Sequence, residues 1–250
     1  MTFEQFSTGS SFLHQADPRG KLVSAGLLSL VVAVSQNLRT ALAGLLFSLL
    51  LTVAAQLPWT KVLRRLLVVN GFNVFLLLIL PLTYGGAETA RFAGFDLSLS
   101  GLWLAVLITI KSNAIILIFI SLLATSTVAK LGQGLQGLRL SQRLCLLLLF
   151  SYRYLGLIHE EYLRLLRAAE LRCFQPKTSL HTYKTYAHLL GMVIVRSWNR
   201  AARVQQAMIL RGFDGTFRTL DTAVLRWNDI LLTVVLFFAA LGLTVLELAQ

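Results

Sequence analysis

Five apolar runs dominate the chain and constrain its fold more than any other feature. They cover about Leu22–Ser35, Ala41–Leu57, Leu66–Tyr84, Leu102–Ala124 and Ile230–Leu248. An α-helix needs about 20 apolar residues to cross a hydrocarbon core of about 30 Å, and the continuous runs lack the alternation of membrane β-strands. Because 56% of the residues are hydrophobic and only 14% are charged, an ordinary soluble domain is excluded. We therefore expect an all-α polytopic membrane protein with about five transmembrane helices.

A sixth apolar run, Leu144–Ile158, is short and is interrupted by polar residues at 151–154. If it does not span, residues 125–225 lie on one side of the membrane and hold 14 of the 23 basic residues but 5 of the 11 acids. Cytoplasmic segments near membrane spans are enriched in Lys and Arg. This pattern predicts an N-terminal membrane region at 1–124 with four spans, a cytoplasmic helical region at 125–225 and a final span within 226–250.

The shorter connections agree with this orientation. The basic residues Lys61, Arg64 and Arg65 fall in the connection predicted inside, whereas the 85–96 loop carries two acids and one base and is predicted outside. The N-terminus is then cytoplasmic. Two cysteines exclude a disulfide framework.

The cytoplasmic region contains two basic helical segments. Residues 151–174 are predicted to form one helix that stops before Pro176, with Glu160 and Arg164 spaced to pair across one turn. A second helix carries arginines along one stripe, and no acid lies between Glu170 and Asp214. The stripe must therefore meet lipid head groups, an acidic protein surface or distant acids of this chain; its members are Arg196, Arg200, Arg203 and Arg211.

Two short segments repeat one pattern, in which an arginine is followed by a small residue and a phenylalanine: Ala169–Phe174 and Ala207–Gly215. They resemble the paired Ala-Arg-Gly signatures of the transmembrane T component of energy-coupling factor transporters, CbiQ/EcfT, and the second is most similar to the cobalt-transport branch, CbiQ. Three further segments match in the same order along the chain: Ala16–Leu22, Tyr152–Leu155 and Glu160–Glu161.

The resemblance implies a scaffold whose two coupling helices dock onto a pair of cytoplasmic ATPases. It assigns Arg172 and Arg211 to grooves with acidic residues on those ATPases, where a guanidinium makes fixed bidentate contacts. The chain departs from the signatures at Leu171, Cys173 and Leu210. The residues expected to take part in coupling are Arg172, Arg211, Glu170, Gly212, Phe174 and Phe213, with Arg196, Arg200 and Arg203 as a possible additional interface.

The same resemblance implies the partners, the location and the cargo. The expected partners are two ABC ATPase subunits, which bind ATP and Mg²⁺, and a substrate-binding membrane subunit of the CbiM kind, with or without a small CbiN-like subunit. Membrane lipids surround the spans in a bacterial inner membrane. Cobalt is the expected substrate and is bound by a partner, so no cofactor or metal is expected on this chain; nickel or a vitamin remains open.

Polar residues in the apolar part have structural and functional interpretations. Lys111 is the one charge inside a predicted span and is expected to pair within the complex or to mark a transport pathway. Asn70 and Asn73 lie three apart and are predicted to join helices by hydrogen bonds. Asp17, Pro18 and Arg19 are predicted to start the first helix, with Asp17 as the N-cap.

Competing functions have weaker support in the sequence. Gly132–Gly137 matches a dinucleotide fingerprint but lacks a preceding strand, so a bend between helices is preferred. The histidines lack the spacing of a metal site, and no residue constellation indicates a membrane enzyme. A nucleic-acid partner is not expected despite the net charge of +12, because no readout module is present. A lipid-binding assembly protein remains the alternative to the transporter subunit.

Overall fold

The computed structural model describes residues 6, 9, 11–83, 89–92, 95–138, 140–215 and 227–248. Its helices are α1 Phe12–Gln15, α2 Pro18–Val34, α3 Leu38–Ala54, α4 Trp59–Thr83, α5 Leu99–Leu122, α6 Val128–Gly137, α7 Gln142–Glu170, α8 Leu180–Leu210 and α9 Trp227–Leu248. Two strands, β1 Thr89–Phe92 and β2 Phe95–Ser98, pair antiparallel. Residues 2–138 with 223–250 form one compact unit, the membrane unit, and residues 139–222 form another, the coupling unit.

The prediction of a helical, polytopic membrane protein is confirmed. Among the described residues, α4, α5 and α9 are long and apolar enough to cross a membrane, and α3 is a shorter apolar helix. Both α2 and α3 have 17 residues, or about 25 Å at 1.5 Å per residue. These two helices occupy the first and second predicted spans.

Two connections predicted as loops contain regular secondary structure, and the side of the membrane on which each lies stays a prediction. The basic residues Lys61, Arg64 and Arg65 belong to the first turns of α4 instead of a loop, because Lys and Arg favour helix as well as most apolar residues do. Part of the predicted 85–96 loop forms the β1–β2 hairpin. The rest of that loop, residues 84–88 and 93–94, lies outside the described residues, as do 216–226 at the end of the predicted cytoplasmic region.

The core of the membrane unit forms where α2 packs against α3, α5 and α9. Leu28, Val32, Ile118 and Leu236 are almost completely buried there. The approach of α2 to α3 is close, because a Cβ on Gly44 would lie 2.8 Å from a Val32 methyl group. Between helices in a bilayer, close van der Waals packing of this kind, and not transfer out of water, stabilises the contact.

Helices α2 and α9 run parallel. At their N-terminal ends the Asp17 amide donates to Asp229 Oδ1 over 3.2 Å. Just past the C-terminal end of α2, the Gln36 amide donates to Glu247 Oε1 over 2.7 Å. Contacts at both ends hold the first and last membrane helices in register over their whole length.

Helix α6 belongs to the membrane unit by its packing, although the sequence boundary at residue 125 assigned it to the cytoplasmic region. Its glycines allow it to lie against α2, since a Cβ on Gly134 would be 3.1 Å from Pro18 and one on Gly137 would overlap the Arg19 side chain. The segment Gly132–Gly137 is thus helical, and the predicted bend was wrong. A phosphate-binding turn between a strand and a helix is absent from this described segment.

In the coupling unit, α7 and α8 are two long amphipathic helices that cross in antiparallel directions. Phe174, just after α7, stacks edge-on with Tyr186 near the start of α8. Phe150 near the start of α7 and Met208 near the end of α8 line the same groove. The C-terminal ends of α7 and α8 therefore lie at opposite ends of the pair.

Candidate coupling site

The end of α7 has a well-defined capping geometry. The Cys173 amide donates to the Glu170 carbonyl over 2.9 Å, and the Phe174 amide donates to the Ala169 carbonyl over 3.1 Å. Cys173 has a φ of 64°, in the left-handed region that closes many helices. This pair of hydrogen bonds is the Schellman arrangement, in which the residue before the left-handed one is Arg172.

The end of α8 repeats this geometry residue for residue. The Gly212 amide donates to the Ile209 carbonyl over 2.9 Å, and the Phe213 amide donates to the Met208 carbonyl over 3.0 Å. Gly212 has a φ of 75° and follows Arg211 as Cys173 follows Arg172. The repeated sequence pattern therefore encodes one backbone structure twice, and the required feature is the positive φ.

Each helix end presents a leucine and an arginine outward. Leu171 and Leu210, which directly precede the two arginines, are each 87% exposed. Arg172 and Arg211 are also exposed, and neither forms an ion pair or side-chain hydrogen bond with another described residue. Two guanidinium groups are thus available to an external acidic surface, each beside an exposed apolar side chain.

The two signature phenylalanines point back toward the helices. Phe174 is half-buried against Tyr186 and His181, with ring centroids 5.7 and 6.4 Å away. Phe213 is also half-buried and lines the groove between α7 and α8. Their packing fixes the direction in which the preceding arginines leave the coupling unit.

The arginine stripe on α8 is partly neutralised by an acid of α7. The Arg196 guanidinium donates to Glu161 Oε1, and Arg200 lies 3.4 Å from Glu161 Oε2. The stripe was expected to meet lipid, a protein surface or distant acids of the chain; for Arg196 and Arg200 the last alternative holds. Arg203 is exposed and has no ion-pair partner among the described residues.

Glu161 is the centre of this cluster. Its side chain is only 10% exposed, and Arg164 approaches the same carboxylate to 3.8 Å. The hydrogen bond from Arg196 lowers the pKa of Glu161, and burial opposes that shift only partly. The predicted pair of Glu160 with Arg164 is also formed, at 3.6 Å, but both side chains are more than half exposed.

An apolar groove lies beside the cluster, between the first half of α7 and the second half of α8. Its volume is about 560 Å³, and aromatic and aliphatic side chains line most of it. Glu161, Arg196 and Arg200 supply its main polar wall. The remaining lining includes Phe150, Tyr154, Val204, Met208 and Phe213.

The other predicted residues have local structural contacts. Glu170 is the exposed last residue of α7 and contributes its carbonyl oxygen to the cap. Asp17 caps α2 by accepting from the Arg19 amide over 2.8 Å, with Pro18 in the first turn, as predicted. Lys111 donates to the Ala33 carbonyl over 3.1 Å near the C-terminal end of α2, so a backbone oxygen serves as its partner.

The predicted asparagine contacts join α4 to α5. Asn70 Oδ1 accepts a hydrogen bond from the side-chain Nδ2 of Asn113 over 2.8 Å. The side-chain Nδ2 of Asn73 donates to Ser112 Oγ over 2.8 Å. Such hydrogen bonds hold apolar helices together where hydrophobic burial gives little preference between neighbours.

Sequence reasoning missed two buried charges. Glu161 was interpreted only as half of an adjacent acidic pair, although its spacing from Tyr154 and Ile158 places it on the apolar face of α7. Lys21 has 0% exposure and donates to Ser126 Oγ over 2.9 Å. An acid or a base on an apolar helix face was the available signal in both cases.

Comparison with known proteins covers nearly the whole chain. A family model described as CbiQ, cobalt transport protein, matches residues 9–222. The chain is 25% identical to the energy-coupling factor transporter transmembrane protein EcfT of Brevibacillus brevis, over 92% of each chain. It is 26% identical to EcfT of Bacillus subtilis, over 95% of this chain and 97% of that one. It is 29% identical to the nickel permease LarQ of Lactiplantibacillus plantarum, over 86% of this chain and 72% of that one.

These matches confirm the resemblance based on the two signature segments, both of which lie within the matched range. Because the family model covers most of the residues, the chain belongs to the CbiQ family of cobalt transport proteins.

Proposed function

We propose that this chain is the transmembrane coupling subunit of an energy-coupling factor importer, which passes ATP-driven motion from two cytoplasmic ATPases to a substrate-binding membrane subunit. The observation that carries the proposal is the pair of matching helix ends with exposed Arg172 and Arg211. Because the two helix ends have the same cap structure, each can dock onto one copy, or one homologue, of the same kind of partner. The names of the EcfT relatives support the same assignment.

The chemistry of each helix end suits docking onto an acidic groove. A guanidinium forms two parallel hydrogen bonds with a carboxylate, which fixes the direction of the contact as well as its strength. Leu171 and Leu210 add an apolar contact beside each ion pair, which excludes water from its edge. Each contact can therefore transmit a directed force when the ATPases close on ATP.

A membrane subunit has a surface available on α8. Leu190, Ile194 and Trp198 recur every four residues, and all three are exposed in the isolated chain. An exposed apolar stripe of this kind marks a contact with lipid or with another protein. We assign it to the substrate-binding partner, of the CbiM kind with or without a CbiN-like subunit, because it lies on a helix that also carries a docking arginine.

The orientation follows from charge and helix direction. The positive-inside pattern favours a cytoplasmic N-terminus and a bacterial inner-membrane location. The parallel course of α2 and α9 is compatible with both helices running outward from the cytoplasm. ATP and Mg²⁺ are then bound by the partner ATPases, and this chain carries no catalytic role.

For the transported substrate we propose cobalt, supported by the description of the matching family. Nickel is the second candidate, because the LarQ relative is named a nickel permease. The ion would be bound by the membrane partner. Uptake of radioactive cobalt and nickel in competition, by the chain reconstituted with its partners, separates the two.

The docking proposal is tested by association with the ATPases. In membranes that co-express the ATPases, Arg172→Ala and Arg211→Ala should each lower the amount of ATPase recovered with the detergent-solubilised chain by about tenfold, as expected for one charge-assisted contact. Arg167→Ala is the matched control, because Arg167 is exposed on α7 five residues before Arg172 and is not among the residues predicted to take part in coupling. Unchanged recovery in both signature variants, or an equal loss in the control, would refute the assignment.

A further inference from the structure

The cluster around Glu161 joins the two coupling helices through one carboxylate. The Arg196 guanidinium donates a hydrogen bond to Glu161 Oε1, and the Arg200 guanidinium lies 3.4 Å from Glu161 Oε2. Both arginines belong to α8, whereas Glu161 belongs to α7. Among the described residues of α7 and α8, burial is otherwise confined to Cys145, Thr182 and Val193. Apolar packing alone therefore contributes little to fixing where the helices cross.

The cluster also lies at a special position along the helices. Arg172 follows Glu161 by eleven residues, and Arg211 follows Arg200 by the same number. Eleven residues of α-helix extend about 16 Å. Arg196, which donates the hydrogen bond, lies fifteen residues before Arg211, or about 22 Å. Since the helices are antiparallel, the two signature arginines lie in opposite directions from the cluster, about 16 Å away on α7 and about 16–22 Å away on α8.

We infer that Glu161, together with Arg196 and Arg200, is the pivot of the two coupling helices, and that it positions the two ATPase-docking ends relative to each other. The inference rests on the proposed function. Glu161 touches neither ATPase nor substrate in this account; it is a positioning residue. With the pivot intact, a displacement at one docking end is passed to the other through the fixed crossing of the two helices.

Loss of the carboxylate has a definite physical consequence. Three guanidinium groups face Glu161, and among the described residues only Arg164 has a second acid, Glu160, beside it. Neutralising Glu161 therefore leaves Arg196 and Arg200 close together without a counter-charge from those residues. The helices should then separate or slide at the crossing. The end caps are local to residues 169–174 and 207–213, so the docking arginines themselves stay intact.

The test compares Glu161→Gln with Glu160→Gln in the complete complex. Glu160 is the adjacent residue and its pair with Arg164 is exposed, so the control applies the same chemical change outside the pivot. Spin labels are placed on Ala168→Cys and Gln206→Cys, which are exposed near the two helix ends and lie outside the residues proposed to contact the ATPases, in a background with Cys145 and Cys173 replaced by Ala. Pulsed electron paramagnetic resonance measures the distribution of distances between the two labels with and without ATP.

We expect Glu161→Gln to keep ATPase association, to broaden the distance distribution and to lower the number of ions transported per ATP hydrolysed by about tenfold. Glu160→Gln should resemble the unsubstituted chain. The combination Glu161→Arg with Arg196→Glu restores an opposite-charge contact across the crossing and should recover part of the coupling. If Glu161→Gln does not fold, Arg200→Gln serves as the second variant, because it removes the contact between Arg200 and Glu161 and keeps the one from Arg196.

Two results would overturn the inference: a narrow distance distribution with normal coupling in Glu161→Gln and Arg200→Gln, or equal defects in Glu160→Gln. Failure of the proposed function gives a different pattern. In that case the unsubstituted chain itself would bind no ATPase and show no ATP-dependent change in distance.

Discussion

The two helix ends allow a reciprocal test of the backbone conformation that presents the arginines. Gly212 has a φ of 75°, and no heavy atom lies within 4 Å of the position a Cβ would take. The cost of Gly212→Ala is therefore conformational, about 1 kcal/mol. Cys173 already bears that cost at a φ of 64°, so Cys173→Gly should stabilise the end of α7 by about 1 kcal/mol.

Amide hydrogen exchange, followed by mass spectrometry on the full chain in detergent, measures these changes locally. A change of about 1 kcal/mol alters a local opening equilibrium about fivefold. We expect peptides containing the Phe213 amide to exchange about fivefold faster in Gly212→Ala, and peptides containing the Phe174 amide to exchange about fivefold slower in Cys173→Gly. Each substitution should leave the other helix end unchanged.

Cys173→Ala is the control, because it removes the thiol and keeps the Cβ. It should leave the exchange of the Phe174 amide nearly unchanged. Slower exchange in Cys173→Ala would assign the effect to the thiol instead of φ. No change in Cys173→Gly, or equal changes at both ends in either variant, would refute the conclusion that the left-handed residue controls each end.

Three further predictions concern the rest of the molecule. The hydrogen bond from Arg196 keeps the pKa of Glu161 below its ordinary value of 4.5, so the contribution of the carboxylate is present above that value and is lost as pH falls through the lowered one; the distribution of distances between the helix ends should stay constant above pH 4.5 and broaden only at lower pH. Asp17→Ala should lower the free energy of unfolding in detergent by about 1 kcal/mol, because the Arg19 amide loses its cap; Asp17→Asn should retain most of it. Asn70→Ala should lower the same quantity by roughly 1 kcal/mol, since Asn113 and Asn73 both lose an acceptor, and an unchanged unfolding curve would contradict that role.

Much of the helical fold could be predicted because its signals are local. Each apolar run coincides with a described helix, and Asp17 before Pro18 marked the start of α2 correctly. The error at Lys61, Arg64 and Arg65 came from treating charge as a sign of a loop. Charge indicates where a chain meets water, whereas Lys and Arg have good helix propensity, so α4 begins before its apolar part.

The contacts between the coupling helices could not be predicted in the same way. Arg196 is 35 residues from Glu161 in sequence, and their pairing depends on the crossing point of two helices. Counting acids along α8 gave an apparently uncompensated stripe, because the compensating carboxylate lies on α7. Hydrophobic periodicity identifies the face of a helix but leaves its partner residue undetermined.

The signature pattern marked both helix ends but did not give the physical reason for the small residue after each arginine. The described geometry gives that reason: residues 173 and 212 have a positive φ, and there is open space around the position that a Cβ on Gly212 would take. Cysteine and glycine satisfy that requirement at different energetic cost. Dihedral angles of single residues are set by the capping hydrogen bonds, which become visible only in the folded chain.

The central claim is that Arg172 and Arg211 couple ATP hydrolysis to transport, and ATP-dependent uptake tests it most directly. Proteoliposomes would contain the chain, its two ATPases and its substrate-binding subunit, and radioactive cobalt would be the tracer. We predict that the Arg172→Ala/Arg211→Ala double variant reduces uptake to the level seen without ATP, while Arg167→Ala leaves it unchanged. ATP-dependent uptake at the normal rate in the double variant would contradict the account.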